Sequence, residues 1–283
     1  MYALQKRTAD PVRNGTAAFR TPLLVAATIC CAVIVASSAQ PVAADDSADL
    51  AQQLSNPVAS LISVPIKFDY NSNFGLGDEG ISRTWTIQPV IPISLNEDWN
   101  LISRTIVPFQ FNSNIPSGSG SINGVGDITQ SLFFSPKAPT KNGLIWGAGP
   151  IFQIPTSSDV SSDTWGAGVT GLALKQKNGW TYGALASQLW DVSGDVEINS
   201  TYLQPFLSYT NANAWTYGLN TESSYNGVTG EWSVPINATV AKLVTVGEQP
   251  ISLLGGVRYW AKSPDNGPEG WGVRMQVTFL FPK

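Results

Sequence analysis

From Ser63 onward the chain alternates between apolar and polar positions. Val64, Ile66, Phe68 and Tyr70 stand against Pro65, Lys67, Asp69 and Asn71, and Trp271, Val273, Met275, Val277, Phe279 and Phe281 stand against Gly272, Arg274, Gln276, Thr278 and Leu280. A period of two marks a β-strand with one face in an apolar environment. Turn-rich clusters of Gly, Pro, Asn, Asp and Ser separate such stretches and predict twelve antiparallel strands, at 63–73, 81–94, 98–112, 124–136, 143–154, 164–176, 179–191, 197–210, 213–225, 231–244, 249–261 and 270–281. The strands at 179–191 and 197–210 alternate poorly, so the pattern leaves their orientation open. Connections are alternately longer and shorter, which predicts an up-and-down meander with loops at one end and tight turns at the other.

An even number of strands with a continuous apolar face needs a cover for that face. A closed antiparallel barrel satisfies every backbone hydrogen bond without helices and lets its apolar exterior rest on lipid. Trp85, Trp99, Trp146, Trp165, Trp180, Trp215, Trp232, Trp260 and Trp271 fall mostly near strand ends, where aromatic girdles meet lipid headgroups. The fold class is therefore all-β: a transmembrane up-and-down antiparallel β-barrel of about twelve strands over residues 63–283, with a short N-terminal helix. A soluble β-sandwich would explain the number of tryptophans but not their placement.

The first 62 residues read differently. Lys6, Arg7, Arg13 and Arg20 precede an apolar run from Leu23 to Val35, and small residues close the stretch at Val42, Ala43 and Ala44. That order predicts a secretory signal peptide over residues 1–44. Both cysteines, Cys30 and Cys31, lie inside it. Residues 45–62, DDSADLAQQLSNPVASLI, space Leu50, Leu54, Val58 and Leu61 as on a helix, with Pro57 as a kink or a division. A plug, a periplasmic cap and a plain surface helix are all compatible with this segment.

Charge narrows the function. Only 13% of the 283 residues are charged, against about 25% in soluble domains, and mean hydropathy is +0.01, too even for a helical membrane protein. Without residues 1–44 the chain carries 12 basic and 19 acidic residues, a formal charge of −7, which argues against nucleic acid as a partner. There is no histidine, so a Ser-His-Asp triad and histidine metal ligands are excluded. No catalytic residue, cofactor site or metal site is assigned, and the chain is not expected to be an enzyme. Acidic residues around Asp159, Asp163, Asp265 and Glu269 could hold cations at the outer surface or simply be solvated.

With the apolar face outward, Lys67, Asp69, Arg104, Asp127, Glu222, Arg258 and Arg274 are the candidate lumen-lining residues, with Gln88, Gln110, Gln153, Asn237 and Gln276 beside them. Both charge signs occur, so these residues could line a solute path or fill the lumen with ion pairs. Twelve strands lie between the side-chain-filled barrels of about eight and the water-filled ones of about 16. Two functions follow: passive passage of small molecules, aromatic and hydrophobic ones among the candidates, or a structural or adhesive role around a filled lumen.

Several stretches carry a family resemblance: NPVASLISVPIKF, IQPVIPISLNEDWNLISRTIVPF, GDITQSLFFSPK, GLIWGAGPIFQIPT, WTYGALASQLWDVSGD and GVRYWAKSPDNGPEGWGVRMQVTFLFPK. The chain resembles bacterial outer-membrane proteins called "transporter", some of them labelled neuromedin U, related to the group named for a MetA pathway of phenol degradation. The resemblance covers nearly all of residues 51–283 and implies a Gram-negative outer-membrane barrel with a transport role. It brings no catalytic or ligand residues. The expected partners are outer-membrane lipid and lipopolysaccharide, an unidentified small solute, and, during biogenesis, periplasmic chaperones and the barrel-assembly machinery. The C-terminal aromatic pattern resembles the signal that machinery reads, although Pro282 and Lys283 follow the last phenylalanine.

Overall fold

A computed structural model of the chain describes residues 44–75 and 77–282. The expected signal peptide lies outside the described residues except for Ala44, which opens the helix α1 (Ala44–Leu54). Fifteen β segments follow among the described residues: β1 (Ile62–Phe74), β2 (Gly80–Ile87), β3 (Val90–Ser94), β4 (Trp99–Ser113), β5 (Ser121–Val125), β6 (Ile128–Pro136), β7 (Leu144–Ile154), β8 (Trp165–Lys177), β9 (Trp180–Ser193), β10 (Asn199–Thr210), β11 (Trp215–Thr221), β12 (Ser223–Asn226), β13 (Glu231–Val246), β14 (Gln249–Lys262) and β15 (Gly270–Phe281). Every neighbouring pair is antiparallel, and β15 closes on β1 in a register from Ile62 opposite Phe281 to Tyr70 opposite Val273. Because β2/β3, β5/β6 and β11/β12 are halves of interrupted strands, the result is a closed barrel of twelve strands.

Each interruption has a proline at or opposite it. Pro89 follows Gln88 in the gap between β2 and β3, Pro108 on β4 faces the gap at Gly126 and Asp127, and Pro235 on β13 faces the gap at Glu222. Proline has no N–H for the ladder, so pairing lapses there. The gaps therefore fall on three polar residues of the sequence reading: Gln88, Asp127 and Glu222.

The turn end shows the expected local chemistry. Asn178 and Gly179, both at positive φ (51° and 81°), make the two-residue turn from β8 to β9, as an Asn-Gly type I′ hairpin requires. Outside the barrel, Trp271 is 65% and Met275 53% exposed, and their face continues through Val273, Val277 and Phe281. Trp99, Trp146, Trp180 and Trp215 edge this belt at the turn end, and Trp165, Trp190, Trp232 and Trp271 edge it at the loop end. Pairs such as Trp99–Trp146 (5.8 Å), Trp180–Tyr209 (5.0 Å) and Tyr259–Trp271 (5.0 Å) pack ring on ring. Trp85 lies deeper in the belt against Phe68.

Two expectations need correction. Trp260 is not a girdle residue: it shares the face of Arg258, lies 5.6 Å from that guanidinium, and donates from its indole Nε1 to Asn71 Oδ1 at 3.1 Å. The helical look of residues 45–62 is helix only to Leu54, because Pro57 cannot supply the N–H that another turn needs. Residues 55–61 continue as a turn and extended chain. This whole segment packs inside the barrel at its turn end. Leu50, Ala51 and Leu61 are buried with Ala214, Leu243 and Leu280, while Val58 is buried with Ile102, Phe133, Leu172, Leu174 and Leu185.

Wall contacts set one local prediction. A Cβ at Gly168 would sit 1.9 Å from the Gln188 carbonyl oxygen of the adjacent strand, whereas a Cβ at Gly255 meets nothing within 4 Å. Gly168→Val is expected to cost at least about 3 kcal/mol, the upper part of the overpacking range, and to deplete the heat-resistant folded band on a semi-native gel. Gly255→Val should leave that band unchanged.

Candidate functional site: the barrel lumen

The register of the barrel builds a charge cluster from residues far apart in sequence. Pairing of β1 with β15 sets Asp69 opposite Arg274, and pairing of β13 with β14 sets Asn237 opposite Arg258. The Arg274 guanidinium donates to Asp69 through Nε (2.7 Å) and Nη2 (3.1 Å), and to Glu222 through Nη1 (2.8 Å) and Nη2 (2.7 Å). Its fork thus holds two carboxylates at once, the geometry that makes arginine rather than lysine suited to such a place. Arg258 donates through Nε to Asn237 Oδ1 (2.8 Å) and through Nη2 to Glu222 Oε2 (2.9 Å), and Asn237 Nδ2 donates on to Asn220 (2.9 Å). Lys67 Nζ completes the group 3.6 Å from Asp69 Oδ2.

Arg274 and Arg258 are only 4% and 6% exposed. Buried charges of this kind persist when ion pairs and hydrogen bonds replace lost hydration. Glu222 comes from the gap between β11 and β12 and meets arginines on β14 and β15, so the cluster ties one side of the lumen to strands beyond its immediate neighbours.

Arg104 stands apart from these ion pairs. With the Gln88 amide oriented to present its oxygen, Arg104 donates to it from Nε (3.0 Å) and Nη2 (3.1 Å). Among the described residues no carboxylate forms an ion pair with it.

A cavity of about 660 Å³ occupies the lumen. Lys67, Arg104, Glu222 and Arg274 contribute charged groups to its wall, and Ile151, Leu185, Leu189 and Phe206 contribute apolar ones. Ala51, Leu54, Ser55 and Pro57 of the N-terminal segment also border it. That segment is tied to the barrel by Gln176 Nε2 donating to the Gln52 carbonyl (2.7 Å) and Asn100 Nδ2 donating to Ser60 Oγ (2.8 Å).

The structure gives the remaining candidates distinct positions. Asp69 and Arg258 belong to the ion-pair cluster without bordering the cavity. Asp127 is engaged elsewhere: Ser161 Oγ, the Ser162 backbone N–H and Gln153 Nε2 all donate to it, so it fastens the 155–164 loop. Its place in the β5/β6 gap points its carboxylate at that loop. Among the described residues, the acidic side chains around 159, 163, 265 and 269 do not come together in any group of three His, Cys, Asp or Glu side chains.

Sequence reasoning missed Tyr202, Leu185, Leu189 and Phe206. Their signal was the poor alternation of 179–191 and 197–210. Trp180, Tyr182 and Trp190 face outward on β9, while Leu185 faces the lumen, and Leu203, Leu207 and Tyr209 face outward on β10, while Phe206 faces the lumen. Both faces of these strands are partly apolar because this side of the lumen is apolar.

A closed barrel with an apolar, aromatic-edged exterior and a charged, polar interior is a bacterial outer-membrane β-barrel. Among solved structures its fold is similar to that of the COG4313 outer membrane channel from Pseudomonas putida F1, with a TM-score of 0.61 and 14% identity over 78% of this chain and 96% of that one. Outer membrane phospholipase A from Escherichia coli gives a TM-score of 0.48 at 11% identity, over 78% of this chain and 90% of that one. OprB from Pseudomonas putida, in its low-pH structure, gives 0.30 at 8% identity, over 78% and 91%. At these identities the likeness is one of fold. No protein-family model and no curated protein matches the sequence.

Proposed function

We propose that the protein is an outer-membrane channel for small molecules, delivered by the signal peptide of residues 1–44, with residues 45–62 serving as a plug at the turn end of the lumen. The observation that carries this reading is the cavity of about 660 Å³, bordered by charged groups on one part of its wall and apolar side chains on another. Its volume is within the ~300–1,000 Å³ typical of small-molecule sites. A lumen built only for stability would be expected to fill with side chains. The likeness in fold to the Pseudomonas putida channel supports the same reading.

Aromatic and hydrophobic solutes suit the Leu185, Leu189 and Phe206 wall, in keeping with the sequence resemblance to the phenol-degradation group. The lipid-facing belt would sit among outer-membrane lipid and lipopolysaccharide, and the C-terminal strand would be read by the barrel-assembly machinery. An enzymatic role is not proposed, because the chain has no histidine and the carboxylates Asp69 and Glu222 are both held by arginines.

Planar-bilayer recording and liposome swelling with a panel of neutral and charged solutes test the proposal. Discrete conductance steps and size-dependent swelling are expected; a folded barrel that passes neither ions nor any solute would refute it. That negative result would favour the second reading, a structural barrel with a filled lumen, for which the ion-pair cluster between Glu222 and the arginines is the specific observation.

A further inference from the structure

Among the described residues, the charges of the cluster and the cavity wall do not balance: Lys67, Arg104, Arg258 and Arg274 stand with two carboxylates, Asp69 and Glu222, and both are already held by the arginines of the cluster. Arg104 has the Gln88 amide oxygen as its acceptor and feels Tyr202 and Glu222 as its charged or ionisable neighbours. A half-buried guanidinium borders the cavity with donors beyond those the amide occupies. Such a group gains most from an anion that reaches it through the cavity.

The rest of the cavity says what kind of anion. Leu185, Leu189, Phe206 and Ile151 offer apolar contact, so an inorganic ion would leave that wall unused. We infer that Arg104, with Lys67 contributing to the same positive field, forms a carboxylate-binding subsite, and that its ligand is a small amphipathic monoanion whose single carboxylate is carried on an apolar body. The inference deepens the channel reading and rests on it for transport, while binding at the subsite can be measured without conduction.

One feature of the molecule opposes entry of anions. Asp78, Glu79, Asp159, Asp163, Asp195 and Glu197 lie in loops at the loop end and make that rim acidic. Those charges are in solvent, where their field decays over about 8 Å at physiological ionic strength. Charges inside the barrel are screened less, so the lumen cations dominate the field at the cavity.

The test uses benzoate and benzamide, which share a ring and differ in charge. Isothermal titration of the detergent-solubilised full-length barrel is expected to show benzoate binding and much weaker benzamide binding. Arg104→Gln should weaken benzoate by roughly tenfold or more, the loss of a hydrogen-bonded charge, and leave benzamide unchanged. Gln88→Glu should do the same without removing a cation, by giving Arg104 an internal carboxylate, and it serves if Arg104→Gln does not fold. Arg104→Lys should retain most of the affinity.

Equal binding of benzoate and benzamide, or benzoate binding unchanged in both Arg104→Gln and Gln88→Glu, would overturn the subsite. Bilayer recordings separate this from the channel reading. Benzoate binding in a barrel that never conducts would keep the subsite and refute transport; conductance with no benzoate block and no benzoate heat would do the reverse.

Discussion

Deleting residues 48–58 is expected to raise single-channel conductance several-fold while the barrel still folds. The segment contributes no strand: closure is made by β1 and β15, whose register begins at Ile62, beyond the deletion. What it contributes is bulk inside the lumen. Leu50 and Ala51 pack on Ala214, Leu243 and Leu280, and Val58 packs on Ile102, Phe133 and Leu172. Each large apolar anchor is worth about 1.5–3 kcal/mol on full burial, enough together to keep the segment seated. Removing it replaces side chains and helix with water next to the cavity. Val58→Asp offers a milder form of the same experiment, since a carboxylate among Phe133, Leu172 and Leu174 would favour the unseated segment. Conductance unchanged by both alterations, in barrels shown to be folded by their heat-resistant gel mobility, would mean that the segment does not obstruct the path.

The second large effect is expected at Arg274. Arg274→Met removes four charge-assisted hydrogen bonds and leaves Asp69 buried with Lys67 at 3.6 Å and Arg258 at 3.6 Å as its ion-pair partners. Breaking a buried pair by deleting one partner costs about 3–5 kcal/mol, because the orphaned charge keeps its desolvation penalty. Lys67→Met should cost much less, about 1 kcal/mol or below, since its one ion pair is long and its side chain is 18% exposed. Urea titration of the barrel in lipid vesicles, read by tryptophan fluorescence, checks the difference. The triple change Asp69→Asn, Glu222→Gln, Arg274→Met should recover much of the loss by removing the stranded charges along with their partner. If Arg274→Met and Lys67→Met are equally mild, the cluster is solvated and its apparent burial carries no energetic weight.

Much of the barrel was legible in the sequence, and the reason is the bilayer. Lipid imposes one apolar face on every strand, so the period of two survives in β1, β11, β13, β14 and β15 with few exceptions. Strand limits such as 143–154 against Leu144–Ile154 and 270–281 against Gly270–Phe281 follow from turn residues that cannot stay in a ladder. The pattern failed where the lumen is not polar. On β9 and β10 both faces are partly apolar, and the alternation that would orient them is lost. Trp260 misled for the converse reason: an aromatic residue near a strand end resembles a girdle residue until its partner on the inner face, Asn71 two strands away, is known.

The candidate site was legible as a set of residues and not as an arrangement. Parity alone turned Lys67, Asp69, Arg258 and Arg274 to one side of the wall. Which of them would meet depended on register, which places Asp69 opposite Arg274 and brings Glu222 to both arginines from a gap in another strand. Asp127 has the same kind of position as Glu222, in a proline-associated gap, yet it serves a loop because Ser161 and Ser162 lie within its reach.

By itself, then, the sequence determined the barrel, its number of strands, its lipid face and the polarity of most of its interior, since these depend on alternation and turn chemistry that each strand carries locally. Only the tertiary structure decided that residues 45–61 enter the lumen, that five charged side chains join in one cluster, and that Arg104 is left facing a cavity without a carboxylate of its own. Those outcomes depend on contacts between residues as far apart as Leu50 and Leu280, which no local pattern encodes.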